Sequence, residues 1–201
     1  MLVQTPAIVS LLPSATEILA ALGFSDHLVG RSHECDYPPS VQALPVCTQA
    51  RLNAHKPSRD IDADVRSLLQ QSLSIYEIDL EQLERLQPTH LVTQDQCEVC
   101  AVSVSEVQQA LSQLVASQPQ IVSLQATTLS DVWSDIERVA SALHADAKPL
   151  LTQLDARLNT CQQLTQTLSQ SSRPTVAALE WTDPPMAAGN WIPELIAIAG
   201  G

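Results

Sequence analysis

The sequence predicts an α/β fold, with an open and mainly parallel sheet, flanking helices, a long bridging helix and the start of a second α/β lobe. Short apolar runs alternate with amphipathic stretches over residues 1–127, which is typical of repeated strand–helix units. Residues 129–169 consist almost entirely of helix formers, and a new apolar run follows at residues 176–179. We therefore predict an N-terminal lobe at 1–127, a bridging helix at 128–172 and the start of a C-terminal lobe at 173–201.

The first unit is predicted to be a strand, a tight turn and a helix. Residues 7–12 form a short apolar run that is typical of a buried strand. Ser14 and Glu17 have the spacing of a capping box, which places the helix start there. Gly23 suits the left-handed end of that helix. A second short strand is predicted at residues 28–30.

The rest of the N-terminal lobe repeats this alternation. Apolar residues at helical spacing predict three helices, and two further apolar runs predict strands between them. The predicted helices are 60–71, 79–86 and 104–115, and the predicted strands are 90–93 and 121–124.

The last third of the chain is predicted to leave this lobe. Residues 129–169 predict one long helix with Lys148-Pro149 as its only break, and a helix of that length bridges two lobes. A strand at 176–179 and a short helix at 192–199 follow. Because one strand and one helix cannot bury a core by themselves, we expect the second lobe to be cut short.

Composition and charge limit the partners of the chain. A net charge of −12 argues against binding to nucleic acid or to anionic membranes, because phosphate groups would be repelled. Polar residues interrupt every apolar stretch, so we expect a soluble protein without a membrane span. The N-terminus has no signal-peptide pattern. We expect a cytoplasmic location if Met1 is the native start, and a periplasmic or cell-surface location if a signal peptide has been removed.

Two polar strings follow predicted strands, at the sheet edge where open α/β folds bind ligands. They are SHECDYPP at residues 32–39 and TQDQCEVC at residues 93–100. Their thiols could bind a soft or borderline metal such as zinc, cycle as a dithiol, or serve as small buried residues. The spacing leaves all three interpretations open. The candidate metal ligands are Cys35, Cys97, Cys100 and His33.

Two aromatic side chains are candidates for contact with a ligand. His33 lies beside acidic residues, so its imidazole could ligate a metal centre, including cobalt or haem iron, or could be an ordinary loop histidine. Trp181 follows a predicted strand in a chain with only 3% aromatic residues, so it could stack on a planar ligand or pack between lobes. No nucleophile elbow, phosphate loop or dinucleotide fingerprint occurs, and we expect no enzymatic activity.

Five segments stand in a characteristic order along the whole chain, at residues 8–17, 29–38, 86–92, 180–185 and 199–201. This order resembles that of the substrate-binding proteins of cobalamin and iron–siderophore ABC transporters. The resemblance is greatest to a cobalamin-binding subgroup that carries cysteine-rich strings. It implies two α/β lobes joined by one stiff helix, with the ligand held in the cleft between them.

The resemblance also implies a function and a set of site residues. It implies a non-catalytic binding protein that needs no cofactor, with cobalamin or a related metal complex as ligand and an ABC transporter permease as partner. Glu81 stands where the family places a carboxylate that docks on the transporter. Two positions that are aromatic in cobalamin binders are glutamine here, Gln49 and Gln94. With these residues, the resemblance implies a large and partly polar ligand. The residues implied to line the cleft are His33, Glu34, Gln49, Arg51, Gln94, Asp95, Gln96 and Trp181.

Another class of function uses the same scaffold without a transporter. In this alternative the chain is a cytoplasmic metal-binding or thiol-redox protein whose reactive groups are Cys35, Cys97 and Cys100. A third interpretation is an α/β domain in which the cysteines are purely structural.

Overall fold

The computed structural model describes residues 5–71, 73–95, 101–112, 118–169 and 172–201. The strands are β1 (Ile8–Ser10), β2 (Leu28–Arg31), β3 (Thr48–Ala50), β4 (Tyr76–Ile78), β5 (His90–Gln94), β6 (Gln120–Leu124), β7 (Leu179–Thr182) and β8 (Pro185–Ala187). The helices are α1 (Pro13–Ala21), α2 (Ser58–Gln70), α3 (Leu80–Leu86), α4 (Val104–Leu111), α5 (Leu129–Ala142), α6 (Lys148–Gln166) and α7 (Ile192–Ile198).

A parallel sheet of four strands, in the order β2-β1-β5-β6, forms the centre of the molecule. The carboxyl ends of these strands therefore meet at one edge, where the two polar strings begin. Two antiparallel pairs, β3–β4 and β7–β8, lie outside this sheet. The α/β class with a parallel sheet is confirmed.

Helices cover both faces of the parallel sheet. Ile8 and Val92 point into a core shared with α1 and α5, whereas Val9 and Leu91 point into a core shared with α3 and α4. This alternation follows from the two-residue period of strand side chains. The short apolar runs could be predicted as strands because both of their faces are buried.

The predicted capping box at the start of α1 is wrong. The helix begins at Pro13, after an extended Leu12, and no side chain caps its first turn. Proline is well suited to that position because it has no N–H to leave unpaired and its φ is already helical. Ser14 therefore lies inside the helix. The left-handed end is confirmed, since Gly23 has a φ of +88°.

The long helix predicted over residues 129–169 is interrupted before its expected break at Lys148-Pro149. The segment forms two helices, α5 and α6, and His144 between them has a φ of +55°. Pro149 lies in the first turn of α6, where the Asp146 carboxylate accepts a hydrogen bond from the Lys148 N–H at 2.9 Å. The indole N–H of Trp133 in α5 donates to the Asp155 carboxylate of α6 at 2.7 Å. With 19 residues, α6 is about 28 Å long.

The final elements follow α6 as a hairpin and a short helix. The strand predicted at 176–179 begins instead at Leu179 and pairs with β8. The hydroxyl of Thr165 in α6 donates to the Ile198 carbonyl of α7 at 3.0 Å. None of the described helices combines the length and the apolar character that crossing a membrane requires.

Candidate functional site

A cavity of about 530 Å³ opens between the parallel-sheet lobe and the β7–β8 hairpin. The loop after β2, strands β3 and β4, helix α2 and the hairpin all contribute to its walls. Most lining side chains are apolar, among them Ile61 and Val65 of α2 and Met186 of β8. The polar and aromatic groups are His33, Glu34, Asp62, Tyr76 and Trp181.

The loop that carries His33 is held by the last residue of β2. The Arg31 guanidinium donates to the carbonyl oxygens of Ser32 at 2.9 Å, His33 at 3.4 Å, Cys35 at 3.1 Å and Gln42 at 3.3 Å. A planar fork of fixed donors is suited to gathering several carbonyl groups at once. The position of His33 is therefore tied to the end of the parallel sheet.

His33 is fixed a second time by β3. The hydroxyl oxygen of Thr48 accepts a hydrogen bond from the His33 backbone N–H at 3.1 Å and lies 2.8 Å from Nδ1 of its ring. The ring also contacts that of Tyr76, with 5.6 Å between the centroids. Both the backbone and the imidazole orientation of His33 are thus determined by neighbouring strands.

Tyr76 is a site residue that the sequence did not indicate. Burial raises the pKa of its phenol to about 12, and the charge of Glu34 acts in the same direction. The phenol therefore stays neutral and can donate a hydrogen bond into the cavity. Tyr76 belongs to a three-residue strand that is too short for a recognisable alternation. Two features of the sequence could have drawn attention to Tyr76. It follows the apolar Ile75, and the chain has two tyrosines.

A second cavity, of about 670 Å³, shares His33 with the first. Its lining includes the carboxylates of Glu77, Asp79 and Glu81, and the side chain of Gln49. The amide of Gln49 donates to Glu77 at 3.1 Å. Acidic side chains thus surround this cavity.

The predicted cleft residues fall into separate places. His33, Glu34 and Trp181 line the first cavity, whereas Gln49 and Glu81 line the second.

Three further predicted cleft residues, Arg51, Gln94 and Asp95, do not line either cavity. Arg51 is exposed and donates to the Tyr76 carbonyl at 3.3 Å. Gln94 is buried at the end of β5, and the exposed Asp95 follows it. Gln96 lies outside the described residues.

Of the three predicted thiol ligands, Cys35 alone lies among the residues that the structure describes. Cys35 is buried in the core beneath α1, where the Thr16 hydroxyl contacts its sulfur at 3.0 Å. Burial raises the pKa of Cys35, which favours the thiol over the metal-binding thiolate. Cys97 and Cys100 lie outside the described residues. Within the described ranges, no three His, Cys, Asp or Glu side chains are grouped to hold a metal ion.

Trp181 is oriented by the hairpin that carries it. Its indole N–H donates to the Asp183 carbonyl at 3.1 Å. Asp183 also pairs with Arg59 of α2, with 3.2 Å between Oδ2 and Nε, and the Ser58 and Thr182 hydroxyls are 3.1 Å apart. These contacts bring the hairpin across the first cavity, opposite the His33 loop.

Solved structures with the same architecture are binding proteins. The periplasmic heme-binding protein RhuT from Roseiflexus sp. RS-1 superposes with a TM-score of 0.69 at 23% identity, covering 98% of this chain and 65% of its own. The periplasmic vitamin B12 binding protein BtuF of Vibrio cholerae gives 0.65 at 19% identity, with coverages of 98% and 65%. An ABC transporter substrate-binding protein from Listeria monocytogenes EGD-e gives 0.62 at 16% identity, with coverages of 98% and 64%.

The chain therefore spans about 65% of the length of RhuT and BtuF. At these identities the superpositions show the fold alone. No curated protein matches the chain in sequence. The family model described as periplasmic binding protein matches residues 8–201, and the chain belongs to that family.

Proposed function

We propose that the protein binds a cobalamin-like corrinoid and delivers it to an ABC transporter permease, without catalysing a reaction. The observation that carries this proposal is the cavity between the parallel-sheet lobe and the hairpin. Its apolar walls, with Tyr76 and Trp181 among them, suit a large and flat ligand body. The metal would arrive inside the ligand, so no resident cofactor is required.

The charges around the site favour a corrinoid over haem. Glu34 faces the first cavity, and three further carboxylates line the second. Asp62 is neutralised by Arg66, with 2.8 Å between Oδ2 and Nε. The whole chain carries a net charge of −12. Haem has two anionic propionates that such walls would repel, whereas the side chains of the corrin ring are mostly neutral amides.

The transporter contact is proposed at Glu81. This residue lies in the first turn of α3, its side chain is 92% exposed, and its carboxylate is 3.9 Å from Arg85. An exposed acid beside the cavity mouth suits a basic surface on a permease. We propose a periplasmic or cell-surface location, where the family's transport role operates. The thiol-redox alternative gains no support from the family or from the described residues.

Titration of the 201-residue chain with aquocobalamin, dicyanocobinamide and hemin tests the ligand proposal. We expect the corrinoids to bind at least about tenfold more tightly than hemin in calorimetry, a difference of about 1.4 kcal/mol. Trp181→Ala should weaken corrinoid binding by about tenfold, since it removes an aromatic contact with the ligand. Trp133→Phe, on α5 and away from the cavity, is the matched control. Tighter binding of hemin, or unchanged corrinoid binding by Trp181→Ala, would contradict the proposal.

A further inference from the structure

Among the described residues, the hydroxyl of Thr48 has two hydrogen-bonding contacts, and both are with His33. Thr48 is 4% exposed and lies in β3 opposite Ile78 of β4. Its oxygen accepts the His33 backbone N–H at 3.1 Å and lies 2.8 Å from Nδ1. Nδ1 is therefore turned towards β3. Nε2, on the other side of the ring, forms no hydrogen bond with a described residue, and the ring borders both cavities.

The number of protons available at the Thr48 hydroxyl limits which nitrogen of the His33 ring can be protonated. A threonine hydroxyl has one proton to donate and two lone pairs that accept. The His33 backbone N–H occupies one lone pair. If Nδ1 is unprotonated, the Thr48 proton is donated to it, and every group in the contact is satisfied. If Nδ1 carries the proton of a neutral ring, the Thr48 proton has no acceptor among the described residues. Only solvent of the second cavity, which Thr48 borders with 4% exposure, could then satisfy it, so this arrangement is disfavoured.

We propose that Thr48 is a positioning residue that holds neutral His33 as the Nε2–H tautomer, so that the ring presents a hydrogen-bond donor to the site. A protonated ring also carries hydrogen on Nε2. Only the disfavoured Nδ1–H tautomer would offer an Nε2 lone pair to a metal. His33 is therefore a donor to a carbonyl acceptor on the ligand rather than an axial ligand. This role deepens the proposed function, since corrin side-chain amides supply such acceptors.

Nitrogen NMR of ¹⁵N-histidine-labelled protein tests the tautomer without any ligand. We expect His33 of the wild-type protein to show a protonated Nε2 and an unprotonated Nδ1. Thr48→Ser, which keeps the hydroxyl, should give the same pattern. Thr48→Val, which keeps the shape, should reduce the Nε2–H fraction to that of the exposed His55, which stays unchanged in all variants. Predominant Nδ1–H in the wild-type protein overturns the inference, even if Thr48→Val does not fold.

Binding of aquocobalamin gives a second test. His33→Ala and Thr48→Val should each weaken binding by about fivefold to tenfold, whereas Thr48→Ser should bind as tightly as the wild-type protein. We expect the absorption spectrum of bound aquocobalamin to be the same in the wild-type protein and in His33→Ala, because His33 does not replace the axial water. A His33-dependent coordination spectrum overturns the donor role. Failure of every corrinoid to bind would instead refute the proposed function, and the NMR pattern would still decide the role of Thr48.

Discussion

Residues 8–142 and residues 148–198 differ sharply in how much they bury. The first region encloses cores on both faces of the parallel sheet. In the second, α6, β7, β8 and α7 contain no buried residue. Leu164 and Leu179 are 68% and 61% exposed. Most of the buried apolar surface of the described residues, and with it the expected hydrophobic stabilisation, therefore lies in the first region. Each region contributes one wall of the candidate site. The wall from the first region is packed on the core, whereas the wall from the second region is lightly packed.

The largest difference between the regions is expected for truncated leucines. Leu91 is fully buried in β5, so Leu91→Ala should lower the free energy of unfolding by about 2–5 kcal/mol. Leu164→Ala in α6 should change it by no more than about 0.5 kcal/mol. Urea unfolding followed by circular dichroism measures both. Equal losses would show that the end of α6 around Leu164 is packed in solution, which would contradict the contrast between the two regions.

Replacing one glycine in each region by alanine tests the same comparison, because each substitution adds a methyl group. A Cβ at Gly30 in β2 would lie 2.7 Å from the Cys47 sulfur and 2.9 Å from Leu86. Gly30→Ala should therefore cost about 1–3 kcal/mol of stability. A Cβ at Gly189 would meet nothing within 4 Å, and Gly189→Ala should be neutral or stabilising by up to about 1 kcal/mol. Thermal unfolding of the two variants should diverge, and a destabilised Gly189→Ala would count against an open second region.

The smallest effect is expected at the ion pair that links the regions. The Arg59 and Asp183 side chains are 77% and 48% exposed, so Asp183→Asn should cost less than about 1 kcal/mol. This cost should vanish at 1 M salt because exposed charges are screened. Asp64→Asn, which breaks the Lys56 pair within one segment, is the matched control. A salt-insensitive loss of more than about 2 kcal/mol at Asp183 would mean that the link is a structural element.

The parallel sheet was predictable because its strands are apolar on both faces, and β1 and β5 are the clearest cases. Strands β3 and β4 were missed because each has three residues and carries an exposed polar side chain, Gln49 or Glu77. Tyr76 enters the site only through that pairing. The break between α5 and α6 was predicted a few residues too late, at Lys148-Pro149, because its left-handed residue is His144 rather than glycine.

The candidate site was predictable in part for a related reason. The position of a residue after a strand indicates the sheet edge, which is correct for His33. It does not indicate whether a side chain faces the cleft or the core. Gln94 is 5% exposed and Cys35 is 1% exposed, and both face inwards. The facing of a loop residue depends on tertiary contacts such as those of Arg31, which no local pattern encodes.

The grip of Arg31 on its loop has a consequence for protein engineering. The four oxygens that it binds belong to the main chain, which every amino acid supplies. Exposed loop positions such as Ser40 can therefore be recoded, or can carry a reporter dye, without displacing His33. Lysine cannot replace Arg31, because one ammonium group lacks the planar fork. A biosensor based on this scaffold should vary the loop and keep the arginine.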